Sequence, residues 1–363
     1  MRGAVTATEM RSPLLSGWIA FGSGTMALAA ALRCAAEPLP AGTRIVLPAY
    51  SCPDIVAAAL FAGLTIHFAD LAPGQTGTDL RLLDAGLNLG ARVAVLVDLF
   101  GSQAPLAEAR AIADRYQAVL VHDRAQSLAG PGLDTGQIAD FVIVSRSRGK
   151  PATLLGGGAS RARDATHFTA FATKAFPLAE WSPTSTMLRA ATYNLAVHPL
   201  LYGAVSRLPF LHIGETRLRT LAAVTRLPQT WLAHAARQLR QQQENIGIRT
   251  KRTLAIAELI PAKGFRIPQD ALKTAATEGL NRLPVSCDSV EQARRLVREG
   301  TQLGISPLYG RTLPEFLGMS AAEAATAYPV AYHFSRTLVT LPTHGRIDIR
   351  AQRQLRELFR NAS

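Results

Sequence analysis

Between Arg44 and Ser145 the chain alternates short apolar runs with helix-forming runs, and no other feature restricts its fold as much. RIVLP (Arg44–Pro48), LTIHFAD (Leu64–Asp70), RVAVLVDLF (Arg92–Phe100), AVLVHD (Ala118–Asp123) and ADFVIVS (Ala139–Ser145) have the length and β-branched content of buried strands. PDIVAAALFAG, ending at Gly63, and PLAEARAIADRY (Pro105–Tyr116) lie among them and read as helices. Strands that are apolar on both faces and separated by helices predict an α/β fold, a mostly parallel sheet flanked by helices. Ligands of such sheets bind beyond the carboxyl ends of the strands. Pro48–Tyr50, Asp98, Asp123 and Ser145–Lys150 stand at those ends.

After Gly158 the pattern changes. Stretches near Ser185–Val205 and Pro228–Leu259 are helical, Gly279–Cys287 is a strand candidate, Ser289–Gly304 is a helix closed by its glycine, and Asp348–Phe359 is a last helix. A chain of 363 residues exceeds the usual single core. We therefore expect a large domain over 1–235 and a smaller C-terminal α+β domain over 236–363.

Charge and cysteine content narrow the function classes. Lys and Arg outnumber Asp and Glu by 39 to 26, which suits anionic ligands. The charges are scattered, with no recognition-helix motif or aromatic platform, so no nucleic-acid partner is expected. The uncharged stretch Ser12–Leu32 is long enough to span a membrane, but Gly17, Gly22, Ser23 and Gly24 interrupt it, so no membrane association is expected. Cys34, Cys52 and Cys287 form no CxxC or CxxH pair. That leaves no disulfide framework and no metal site, and it suits a reducing cytoplasm.

Three elements carry chemistry. Gly22-Ser23-Gly24-Thr25 opens the helix Thr25–Ala36, where exposed amides and the dipole can hold a phosphate. Asp123, with Gln126, follows an apolar strand, and a carboxylate there can pair with a protonated ring nitrogen. SRSRGK (Ser145–Lys150) precedes TLLGGG; cationic neighbours Arg146 and Arg148 disfavour a charged ammonium, leaving the neutral amine that a Schiff base needs. Each element has an ordinary alternative: an N-cap, a capping aspartate, a surface lysine in a glycine-rich loop. Together they are what a phosphate-bearing pyridine aldehyde requires.

With these motifs in order, the sequence resembles the DegT/DnrJ/StrS-type aminotransferases, within the fold-type I, aspartate-aminotransferase-like pyridoxal-phosphate enzymes. FGSGTMALAAAL is similar to the family's SGTxAL segment, and RIVLPAYSCPDIVAAALFAG to its strand, turn and helix. VDLFG resembles VHxYG, HDRAQSLAG resembles EDAAQxxGA, SRSRGKPATLLGGG resembles SFxxxKxxxxGEGG, and SRTLVTLPTHGRID resembles the closing LPxHxxL segment.

The resemblance implies that 1–235 is a pyridoxal-phosphate-binding domain of the fold-type I kind. It makes Lys150 the catalytic Schiff-base lysine and Asp123 the partner of the pyridine nitrogen. Gln126 would stand near the ring's phenolic oxygen, and Gly24, Thr25 and Ser145 would hold the phosphate. Lysine, where some dehydratase members carry histidine, favours transamination. The implied reaction takes an amino group from an amino acid, glutamate by resemblance, to a nucleotide-linked keto sugar in saccharide or secondary-metabolite biosynthesis. The alternatives are an aminocyclitol precursor, a carrier-tethered ketone, and a non-catalytic regulatory or binding protein. A cytoplasmic homodimer with the site at its interface is implied as well.

Departures fall on the substrate side. Asp98 stands where the family has histidine, and Cys52 falls near the aromatic that stacks on the ring, with Tyr50 as the substitute. The stretch before Gly22 is shorter than usual, and His212–Thr220 lacks the family's Asn-x-Arg, leaving Arg217 and Arg219 as candidates there. His122, His212, His333 and His344, being isolated, are read as structural or exposed.

Overall fold

The computed structural model describes residues 15–128, 138–151, 153–196, 216–345 and 347–362. His212, Ala129, Gly130 and the end of the helix expected to reach Val205 lie outside them. Seven strands form one sheet: β1 (Trp18–Phe21), β2 (Arg44–Pro48), β3 (Thr65–Ala69), β4 (Ala91–Val97), β5 (Val119–Asp123), β6 (Phe141–Ser145) and β7 (Gly158–Ala162), in the order β1-β7-β6-β5-β4-β2-β3. The pairs β2/β3, β2/β4, β4/β5 and β5/β6 are parallel, and β7 runs antiparallel to both β6 and β1. Chain order reverses at β2, with β3 on one side and β4 on the other, so the strand ends there border a crevice.

The two-residue period of the strands separates the core into two layers. Ile45, Leu47, Val93, Val95, Val121, Phe141 and Ile143 share one layer with the helix Gly24–Ala36. Val46, Ala94, Leu96, Leu120, Val142 and Val144 face the other, which Trp231 and Leu232 of the helix Gln229–Ala257 close. Alanine dominates the first helix for a packing reason. Ala27, Ala29, Ala30 and Ala31 are wholly buried, and their small side chains let it lie between β6, β7 and the helix Asp54–Phe61. Its N-cap is Ser23, whose hydroxyl accepts from the Met26 amide at 3.1 Å.

The C-terminal part adds a second sheet, β8 (Phe265–Arg266), β9 (Arg282–Cys287) and β10 (Leu338–Pro342), antiparallel in the order β10-β9-β8. Leu283, Val285 and Val339 pack there with Leu296 of the helix Val290–Gly300 and with Leu355 and Phe359 of the helix Ile349–Ala362. Gly304, at φ 78°, ends the short turn after the first of these helices. The position 235/236 falls inside the helix Gln229–Ala257, whose Ala235 and Ala236 pack on the large sheet while Ile256 packs with the small one. Asp70, just past β3, ties the parts together: its carboxylate accepts from the Val330 amide at 2.9 Å and the Ala331 amide at 2.7 Å, in the first turn of the helix Pro329–Thr337.

A close backbone-to-backbone contact lies where β1, β6 and β7 meet the start of the helix Gly24–Ala36. A Cβ on Gly158 would stand 2.6 Å from the backbone N and Cα of Gly24, and one on Gly24 would stand 2.6 Å from the Ser145 Cβ. Neither position has room for a side chain. We expect Gly158→Ala to lower stability by roughly 1–3 kcal/mol or more, because backbone cannot move aside as a flexible side chain can. Urea unfolding of the variant measures it, and an unchanged midpoint would refute the close approach.

Candidate functional site

The site begins where β1 runs into the helix Gly24–Ala36. First-turn amides have no intrahelical acceptor, and the Ser23 hydroxyl satisfies only that of Met26. Ser145, the last residue of β6, is buried directly against Gly24, and its hydroxyl accepts from the Ser147 amide at 3.4 Å. The Thr25 hydroxyl donates to Asp54 Oδ2 at 3.1 Å, across from the start of the neighbouring helix. The first-turn amides and the Ser145 hydroxyl thus stand together at the positive end of a helix, a chemistry suited to a phosphate.

Asp123 ends β5 and is 6% exposed. Burial pushes its carboxyl above the ordinary carboxylate range, against the Ala125 amide, which donates to Oδ1 at 2.9 Å, and against the positive charge of Lys150. A buried carboxylate in this state gains from a cationic partner. Gln126, equally buried, has both ends of its amide engaged: Oε1 accepts from the Phe100 N–H at 3.0 Å and Nε2 donates to the Tyr309 hydroxyl at 3.1 Å. The Phe100 end depends on a backbone feature that the sequence conceals. The expected strand Arg92–Phe100 stops at Val97, and Phe100 sits at φ 62°, a region costly for a non-glycine residue. Its carbonyl accepts from the Asn281 amide at 2.8 Å, which holds it there.

Lys150 is half-buried in the loop after β6. Its charge reaches Asp123 and also the Cys52 thiol. Arg146 is buried on the layer of Trp18, Val144 and Trp231, and the Arg148 guanidinium lies 5.9 Å over the Tyr193 ring. Tyr50 is 1% exposed, its ring packed 5.7 Å from that of Tyr309 and 5.3 Å from that of Phe334, so it belongs to the core. Cys52 is half-buried beside Lys150 and is the one of the two that borders the cleft. Gly24, Thr25, Asp123, Gln126, Ser145 and Lys150 therefore share one edge of the sheet. Arg217 and Arg219 lie in a segment without regular secondary structure.

Sequence reasoning missed a buried network beneath this edge. Asp98, 2% exposed, accepts from His122 Nε2 at 2.8 Å and from the Ala104 N–H at 3.0 Å through Oδ1. Through Oδ2 it accepts from the Ser127 hydroxyl at 2.6 Å, with Arg124 Nε 3.6 Å away. Burial by itself would raise the carboxyl's pKa. His122, Arg124 and Ser127 overcome it and hold the group below the ordinary carboxylate range. The network pins residues 124–127, the segment after Asp123 that carries Gln126.

The sequence pattern of the DegT/DnrJ/EryC1/StrS aminotransferase family matches residues 17–359. No curated protein matches the sequence. Among solved structures, Spr1654 of Streptococcus pneumoniae, assigned as a sugar aminotransferase and solved in its PMP form, is similar with a TM-score of 0.72, 17% identity, and coverage of 99% of this chain and 92% of its own. The aminotransferase TlmJ from Streptoalloteichus hindustanus gives 0.70 at 17% identity, covering 99% and 91%. DesV from S. venezuelae, in complex with a ketimine intermediate, gives 0.68 at 16% identity, covering 100% and 90%. At such identities the likeness is one of fold.

The Asp98 network makes an acid-sensitive contribution to stability. Between the depressed pKa in the fold and the ordinary one, the unfolded chain binds the proton that the folded chain refuses, so stability falls as pH falls through that window. Removing one member of a buried pair costs about 3–5 kcal/mol. We expect Asp98→Asn to lose about that much at neutral pH, and the gap to wild type to narrow by about pH 3. Urea unfolding at both pH values decides it; an equal loss at each would mean that Asp98 is not ionised in the fold.

Proposed function

Because the chain belongs to the DegT/DnrJ/EryC1/StrS aminotransferase family, we propose that it binds pyridoxal phosphate at this sheet edge and moves an amino group from an amino acid, glutamate in our reading, to a keto sugar, nucleotide-linked in that reading. The observation that carries the proposal is the convergence of three different chemistries on one edge: the Gly24–Ser145 cradle, the buried Asp123 and the amine of Lys150. The residues fit the cofactor. The cradle admits no side chain at Gly24, and Asp123, whose charge burial disfavours, is the group to welcome a protonated ring nitrogen.

When bound, pyridoxal phosphate supplies the electron sink for the bond broken at the substrate carbon. The protein's own groups do the rest. The Gly24 and Thr25 amides and the Thr25 and Ser145 hydroxyls take the phosphate. Asp123 keeps the ring nitrogen protonated, and Gln126 Nε2 offers its remaining hydrogen to the phenolic oxygen. Lys150 Nζ would hold the cofactor, and its amine would carry the proton at the substrate carbon. The formal charge of +13 supports a diphosphate-bearing acceptor. In the same reading the enzyme is a cytoplasmic homodimer with the site at its interface, and 1–235 and 236–363 are its large and small domains.

Wild-type protein mixed with pyridoxal phosphate should show a visible band that glutamate discharges, and borohydride should fix the cofactor to the Lys150 peptide. Lys150→Ala should remove both signals and cut turnover at least about a hundredfold. A wild-type protein that takes up no pyridoxal phosphate would sink the proposal. Product analysis with nucleotide-linked keto sugars, set against aminocyclitol precursors and carrier-tethered ketones, then assigns the acceptor.

A further inference from the structure

Tyr309 enters the site from the C-terminal part, 183 residues away in sequence from Gln126. Its hydroxyl proton can be followed from a donor whose direction is fixed. The Phe100 backbone N–H can only donate, so the atom 3.0 Å from it is the Gln126 carbonyl oxygen. The other end of that amide is then Nε2, which has hydrogens and no lone pair to offer, so at 3.1 Å the Tyr309 oxygen must be the acceptor. An accepting phenol keeps its own hydrogen for another partner. The Tyr50 ring packs 5.7 Å from that of Tyr309, and the side chain that shares a hydrogen bond with the phenol besides Gln126 is the Cys52 thiol. A hydrogen bond from Tyr309 opposes the rise that burial imposes on that thiol, and the Lys150 charge acts on the same sulfur.

We infer that the Tyr309 hydroxyl is a substrate-binding donor, its proton aimed into the cleft beside Cys52 and Lys150, where it meets the oxygen of the keto acceptor. The relay runs from the Phe100 N–H through the Gln126 amide to the phenol, and each link orients the next. A thiol is a poor acceptor, so turning this proton from Cys52 to a carbonyl oxygen costs the protein little and returns a full hydrogen bond. The amino donor leaves with the oxygen of its own keto product, but its carboxylate is the group to be anchored. The acceptor has no carboxylate to hold, and its carbonyl oxygen is what a neutral donor of this kind recognises. This inference rests on the transaminase reading above, because it names the group that receives one of that reaction's two substrates.

The variant Tyr309→Phe keeps the ring against Tyr50 and removes only the hydroxyl. In the holoenzyme we expect KM for the keto acceptor to rise about threefold to tenfold, the worth of one hydrogen bond, with kcat changed less and the glutamate half-reaction slowed by a smaller factor through Gln126. In the cofactor-free protein, alkylation of Cys52 followed by peptide mass spectrometry should be slower in the variant, because losing the donor leaves less thiolate; the buried Cys34 and Cys287 serve as internal controls. An unchanged acceptor KM, an equal effect on both half-reactions, or Cys52 alkylation as fast as in wild type or faster would each overturn the inference. A wild-type protein without pyridoxal phosphate overturns the functional reading instead, and the alkylation rates still decide where the Tyr309 proton points.

Discussion

Backbone meets backbone where β1, β6 and β7 end, and the rest of the site depends on that contact. Gly158 lies against Gly24 so closely that neither can carry a side chain, and Ser145 fills the remaining space. This approach places the start of a helix, with its unpaired amides, beside the end of a central strand. It also fixes where the loop bearing Lys150 leaves β6 and where β7 takes it back. Gly157, at φ 83° under the Trp231 ring, tethers the returning segment to the opposite layer. Cradle and lysine loop are therefore two consequences of one packing event.

Much of the fold is legible because the central strands are apolar on both faces, a pattern that only a sheet covered on both sides produces. The two strands of the large sheet that escape notice lack this mark. GASRA of β7 holds a glycine, a serine and an arginine, and it becomes a strand because β6 and β1 offer it ladders on both sides. WIAF of β1 has four residues and lies in an uncharged stretch that merges with the following helix. The site residues were visible as polar positions after apolar strands. Tyr309 and the Asp98–His122 pair were not, since nothing local marks a tyrosine whose partner lies 183 residues away or a histidine whose partner lies 24 residues back.

Asp98 and His122 bear on the meaning of the departures from the family's motifs. VHxYG and EDAAQ carry a histidine and an acid where this chain carries Asp98 in VDLFG and His122 in HDRAQ. The structure shows the two bonded to each other at 2.8 Å, with the Ser127 hydroxyl on the same carboxylate. The change at Asp98 is thus compensated, and it gives no ground for reading the protein as inactive.

Cys52 is different, because nothing exchanges with it. Burial pushes its thiol up to about 11, so at neutral pH it is a small, uncharged contact with little nucleophilic character. A sulfur covers far less of a ring face than an aromatic side chain does, and Tyr50 is held in the core between Tyr309 and Phe334. In the proposed site the groups on that side are the Tyr309 hydroxyl and the Cys52 sulfur, which interact with each other. Binding on that side then rests less on stacking and more on the hydrogen-bond relay from Phe100 through Gln126, so the orientation of one buried amide carries a larger share of the site's selectivity.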